Sequence, residues 1–229
     1  MTALLKSQKA NSNTYACEYD GIEHLFECIA QDILHQGFSV QKKALPLPLA
    51  DILHYHLTNM PDNKFSDAAI GRQLAQQQNT SIRSDEIAWI NGDSPAGTQW
   101  LKFTSELQIY LNRRLFLGLF SFESHFAHYA PGRFYKRHVD AFKGEANRVL
   151  SLVTYLNKDW NDADGGELVI YQNDKDKSGI TVYPEYGTLT FFLSEQYPHE
   201  VKPAKRDRYS IAGWFRLNSS TAERVDPPS

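Results

Sequence analysis

From residue 121 onward the chain reads SFESHFAHYA (121–130), FYKRHVD (134–140), RVLSLVTYLN (148–157), GELVIYQ (166–172), GITVYP (179–184), GTLTFFLS (187–194), HEVKP (199–203) and YSIAGWFRL (209–217). Each run is short and rich in β-branched and aromatic residues. Turn signals separate them: Pro131-Gly132, Asp164-Gly165-Gly166, Lys177-Ser178-Gly179 and Glu185-Tyr186-Gly187. Strands at this spacing predict an antiparallel sandwich or barrel.

Upstream the texture is different. Residues 21–37 read as a helix, with Ile22, Leu25, Phe26, Ile29 and Ile33 at helical spacing and Gly37 as its stop. A short strand at 38–41 and a second helix at 48–59 follow. The longest helical pattern covers 99–117, and 82–90 reads as a strand. Residues 1–20 are polar and irregular and read as a flexible N-terminal arm. Residues 65–81 combine an interrupting Gly71 with a weak apolar face, which suggests a mobile lid. The chain from 21 to 229 therefore reads as one domain. Its helical support and entrance region covers 21–118 and its β core 119–218.

Composition bounds the function. With 229 residues and 41% hydrophobic content the chain is long enough to bury about 70% of its unfolded surface. A net charge of −3 argues against a general nucleic-acid binder. The cluster Lys202, Lys205, Arg206 and Arg208 reads as a solvated loop with one inward Arg. No apolar run reaches the ~20 residues that span a membrane, and the N-terminus lacks an apolar leader core. Two cysteines, Cys17 and Cys28, suit a reducing compartment, so a cytoplasmic location is expected.

Chemistry concentrates in His138-Val139-Asp140, a later His199, and Arg208. Residues two apart on a strand share a face, so His138 and Asp140 point together. Two imidazoles and one carboxylate are the facial donor set of non-haem Fe(II) oxygenases. An Arg nearby offers a fork for a keto acid's far carboxylate. Arg208, Ser210, Ala212 and Trp214 share one strand face, assigned inward. Tyr155 and Tyr129 can add hydroxyls. The remaining histidines, His24, His35, His54, His56, His125 and His128, read as surface or core residues. Residues 160–165 mimic part of a calcium loop but lack its terminal carboxylates, so they read as a turn.

These motifs, with RHVD (137–140), TYLNKDW (154–160), GGELVIY (165–171), PHEVKPAKRDRYSIAGWF (198–215) and IRSDEIAWINGD (82–93), resemble the prolyl 4-hydroxylases of the 2-oxoglutarate/Fe(II) oxygenase superfamily. More narrowly they resemble the oxygen-sensing hydroxylases that modify hypoxia-inducible factor and their bacterial homologues. The resemblance implies a mainly β, α+β fold: a double-stranded β-helix, or cupin-like jelly-roll, with supporting N-terminal helices. It implies hydroxylation of a prolyl residue in a protein, with Fe(II), 2-oxoglutarate and O2 consumed or held, and leaves room for ascorbate.

The resemblance further makes His138, Asp140 and His199 the metal ligands. Arg208, Tyr155, Tyr129, Leu168 and Trp214 are cosubstrate contacts, and Arg83, Asp85, Trp89, Tyr135 and Arg148 are substrate contacts. Asp85 and Arg148 either pair between the upstream strand and the barrel or stand as ordinary surface charges. A Thr often found near the cosubstrate carboxylate is here Ala212, one hydrogen bond fewer. A bacterial source would point to a translation factor, such as elongation factor Tu, as partner. Competing readings are an oxygenase acting on another side chain or a free amino acid, and a non-catalytic metal-binding jelly-roll. A nucleobase demethylase fits less well, because Trp214 stands where that branch carries a second Arg.

Overall fold

The computed structural model describes residues 21–68, 82–141 and 147–218. The N-terminal arm and most of the suggested lid, 69–81, lie outside the described residues. Three helices precede or interrupt the strands: α1 Ile22–Gln36, α2 Leu47–Thr58 and α3 Pro95–Leu115. The strands are β1 Phe38–Gln41, β2 Ser66–Asp67, β3 Glu86–Trp89, β4 Ser121–Tyr129, β5 Tyr135–His138, β6 Arg148–Tyr155, β7 Leu168–Ile170, β8 Ile180–Val182, β9 Leu189–Leu193, β10 His199–Val201 and β11 Arg208–Arg216.

They form two antiparallel sheets. The large one runs β1-β9-β6-β11-β4-β3-β2 and the small one β5-β10-β7-β8. This is the jelly-roll arrangement that the short, turn-separated runs predict.

Alternation along the large sheet sorts its side chains. Phe126, Leu150, Leu152, Phe191, Ile211 and Phe215 face the helices, where they meet Leu25, Phe26 and Ile29 of α1, Leu53 of α2, and Trp100, Leu107 and Leu111 of α3. Each such burial stabilises by roughly 1.5–3 kcal/mol. The opposite face contributes Ala127, Tyr129, Tyr155 and Phe192 to a second cluster, with Leu168, Ile170, Val182 and Val201 of the small sheet. The second cluster surrounds the site.

Helix ends follow their local chemistry. Gly37 closes α1 in the left-handed region at φ 78°, donating its N–H to the Ile33 carbonyl. The third helix starts at Pro95, four residues before the apolar periodicity. Its first turn is Pro95, Ala96 and Gly97, capped by the Ser94 hydroxyl, and none of these carries a long apolar side chain. The expected strand at 82–90 narrows to β3. Arg83 instead bridges to Tyr135 of the small sheet, so the chain changes sheets near Asp85. The start of the suggested lid is also corrected: Ser66 and Asp67 pair with β3 as an edge strand. Residues 160–165 are a turn, with Asn161 and Asp164 capping it reciprocally. Cys28, on α1, is disulfide-bonded. Among the described residues no helix is long and apolar enough to cross a membrane.

Candidate active site

Two strand ends, and the bend that follows one of them, bring the donor atoms together. His138 ends β5, Asp140 lies two residues past it, and His199 starts β10 directly opposite His138 in the sheet register. One ligand atom from each lies within 4.8 Å of the others. The Nε2 atoms of His138 and His199 each stand 3.6 Å from an Asp140 carboxylate oxygen. Both imidazoles are oriented by the same local device. His138 donates Nδ1–H to the Lys136 carbonyl at 2.8 Å, and His199 to the Tyr197 carbonyl at 3.0 Å. Each bond spans two residues and leaves Nε2 with its lone pair facing inward.

The charges suit a divalent cation. Burial works against the Asp140 carboxylate, but His199, His138 and the Ser151 hydroxyl more than offset it and hold its pKa well below the usual range. The Ser151 hydroxyl donates to Asp140 at 2.6 Å and lies 2.9 Å from Ser194 Oγ. Burial, aided by His138, pushes His199 down to about 4, so it is a neutral donor at pH 7. The donor set fits Fe(II), with one face free for exogenous ligands.

Deeper between the sheets sits Arg208, 1% exposed. Its Nε donates to the Gly166 carbonyl at 2.8 Å and its Nη1 to Ser210 Oγ at 3.1 Å, while Nη2 is buried with no partner. The rings of Tyr129 and Tyr155 flank the guanidinium at 5.0 and 5.2 Å. The Tyr155 and Thr190 hydroxyls approach each other without reaching hydrogen-bond geometry, so both are buried and unsatisfied. Burial pushes Tyr155 up to about 12 against the pull of Arg208, leaving it a neutral donor. Orphaned buried donors beside a cation are costly unless an anionic acceptor fills the space. A carboxylate would satisfy these donors, and Leu168 belongs to the apolar cluster that adjoins them.

The interior row Thr190, Val153 and Ala212 crosses three neighbouring strands. Thr190 of β9 carries a hydroxyl in the same row, two strands away from Ala212. Arg206 stays outside, half-exposed in a turn, on the carbonyls of Asp159 and Lys158.

The residues expected at the entrance separate into two groups. Trp89 is exposed and packs edge-on against His125, which in turn meets Trp214. Arg148 lies 3.7 Å over the Trp214 ring. Asp85 is corrected: it is buried, and the Arg83 fork occupies both of its oxygens at 2.6 and 2.9 Å. Arg148 consequently takes Glu123, at 2.7 Å, and the Asp85–Arg148 pair does not form. Tyr135 stacks on His138. A cavity of about 390 Å³ lined by Arg137, His138, Val139, Asp174 and Pro198 opens beside the metal ligands.

Ser151, Ser194, Thr190, Gly166 and Glu123 are site residues that the sequence reading did not single out. Ser151 shares the strand parity of Tyr155, and Thr190 that of Phe192, so alternation could have found both. Nothing in the sequence marks Glu123.

Residues 124–216 match the family model described as "2OG-Fe(II) oxygenase superfamily". Human Egl nine homolog 1 is 33% identical over 162 residues, which cover 66% of this chain and 37% of that protein. The chain thus spans little more than a third of that relative's length. A Pseudomonas putida prolyl-4-hydroxylase crystal structure is 36% identical, with a TM-score of 0.74, covering 84% of this chain and 99% of that one. A Trichoplax adhaerens prolyl hydroxylase, solved with a hypoxia inducible factor oxygen degradation domain peptide fragment, is 28% identical. Its TM-score is 0.72, and the match covers 85% of this chain and 90% of that one.

Proposed function

The chain belongs to the 2OG-Fe(II) oxygenase superfamily, in its prolyl hydroxylase branch, and we propose that it hydroxylates a prolyl residue in a protein substrate. One observation supports this most directly. The His138–Asp140–His199 donor set and the unpaired Arg208 Nη2 belong to the same space between the two sheets.

In this reading His138, Asp140 and His199 hold Fe(II). With 2-oxoglutarate, the bound iron supplies the oxidising chemistry: O2 and the keto acid are consumed, CO2 and succinate leave, and a C–H becomes C–OH. The chain's own groups do the rest. Arg208 binds the far carboxylate with Nη2, and Tyr155 and Thr190 offer it hydroxyls. Gly166 and Ser210 hold the guanidinium in place. Leu168, Ile170, Val182 and Phe192 exclude water from the cosubstrate. Trp214, expected as a cosubstrate contact, is instead assigned in this reading to the peptide side, because Arg148 lies across its ring and His125 links it to exposed Trp89. A translation factor such as elongation factor Tu is the proposed partner if the source is bacterial.

The test has two parts. Incubation with Fe(II) and 2-oxoglutarate should release succinate, and mass spectrometry of source-cell proteins with and without the enzyme should find +16 on proline. Succinate without any modified proline moves the reading to another substrate. No succinate, even with candidate substrates present, overturns the enzyme reading.

A further inference from the structure

His138 is the less protected of the two imidazoles. His199 is backed by the buried Phe192 ring at 4.5 Å, whereas the His138 side chain keeps 17% of its surface and borders the open cavity. Its Nδ1 bond fixes one rotation but leaves the ring free to tilt toward solvent. The group that blocks that tilt is Tyr135, whose ring lies parallel to His138 at 3.6 Å and 16°.

Tyr135 is itself held. The Arg83 guanidinium carbon lies 4.8 Å from its centroid, and the face against His138 has no room for it, so imidazole and guanidinium flank the phenol. Arg83 is fastened by its fork to buried Asp85. Backbone bonds clamp the two segments together, Ser84 N–H to the Phe134 carbonyl at 3.2 Å and Lys136 N–H to the Ile82 carbonyl at 2.9 Å.

We infer that Asp85, Arg83 and Tyr135 are positioning residues for the metal ligand His138, forming a stacked column that sets its ring before any metal or substrate arrives. The inference rests on the metal-centre reading above. It departs from the entrance role that resemblance gives these three residues. Asp85 has no exposed surface to offer a substrate, and its carboxylate is fully engaged.

The experiment titrates the full-length metal-free protein with Co(II), following visible absorption for ligand geometry and chelator competition for affinity. Melting curves without metal check folding. The wild type should bind with an absorption signature that His199→Ala removes. Tyr135→Leu should weaken Co(II) binding about 10-fold or more and alter the spectrum, as loss of a ligand's supporting partner does. Tyr135→Phe keeps the ring and should stay within about threefold of wild type, a rescue no hydroxyl-based role allows. Arg83→Gln should weaken binding in the same direction, and should add nothing in a Tyr135→Leu background if it acts through the ring.

Unchanged affinity and spectrum in Tyr135→Leu overturn the inference, and so does a Tyr135→Phe as impaired as Leu. If Tyr135→Leu does not fold, Arg83→Gln alone decides by the same readouts. A wild type that binds no Co(II) overturns the metal-centre reading itself.

Discussion

Arg208 commits two of its nitrogens to the protein and keeps one, Nη2, unsatisfied in the interior. That division makes its role testable. Charge-assisted bonds contribute roughly 1.5–3 kcal/mol, so Arg208→Ala should raise the KM for 2-oxoglutarate at least ~10-fold. Arg208→Lys should fall between, because a point charge cannot keep Gly166 and Ser210 and still reach a carboxylate. Arg206→Ala, in the turn two residues earlier, should leave that KM near wild type. Kinetics in 2-oxoglutarate decide all three, and an equal loss at Arg206 would relocate the anchor. Asp140 makes a second residue-scale case. It is the one negative donor of the three, so Asp140→Ala should abolish turnover and lower bound iron, measured by metal analysis of protein checked for folding.

Between β6 and β7 the turn Gly165-Gly166 carries the element-scale argument. Gly166 has φ 71°, and a Cβ there would meet Ala204 Cβ at 2.9 Å and Arg208 Cδ at 3.1 Å. Its carbonyl also accepts the Arg208 Nε. Gly166→Ala should therefore both lower stability, by about 1 kcal/mol or more, and raise the KM for 2-oxoglutarate. A melt that drops without any change in KM would separate the turn from the anchor. The ligand pair His138 and Asp140 was legible from their spacing, and the strands of the β half from their bounding turns. Those signals are local. The partners were not legible, because they depend on register between distant segments. Glu123 takes Arg148 only because β4 and β6 both flank β11, and Ser151 meets Asp140 across a gap of 11 residues. The early start of α3 was hidden for a different reason, its first turn being buried through small residues that carry no periodic signal.

At the scale of the whole molecule, His125 couples stability to pH. It is buried against Trp89 and Trp214, and burial, with help from the Arg83 and Arg148 charges and against Asp85, pushes it down to about 4. The unfolded chain protonates it near 6.5 while the folded chain resists until about 4. Its contribution is thus complete above pH 6.5 and lost as pH falls toward 4, a swing of roughly 3 kcal/mol. Asp32, raised by burial, works in the opposite direction, and His199, also pushed down to about 4, works in the same one, so His125 carries only part of the slope. Melting of the metal-free protein should fall across that window, and less steeply in His125→Asn; identical slopes would remove His125 as the cause. The pairing of His199 with His138 across β5 and β10 has a consequence of another kind. A strand slipped by one residue turns every side chain to the opposite face, so a misaligned β10 would aim His199 away and leave two ligands. On the proposed function, iron retention would then report correct assembly. A chain that had not closed correctly would stay unloaded, and oxidising chemistry would be confined to molecules whose walls are already in place to contain it.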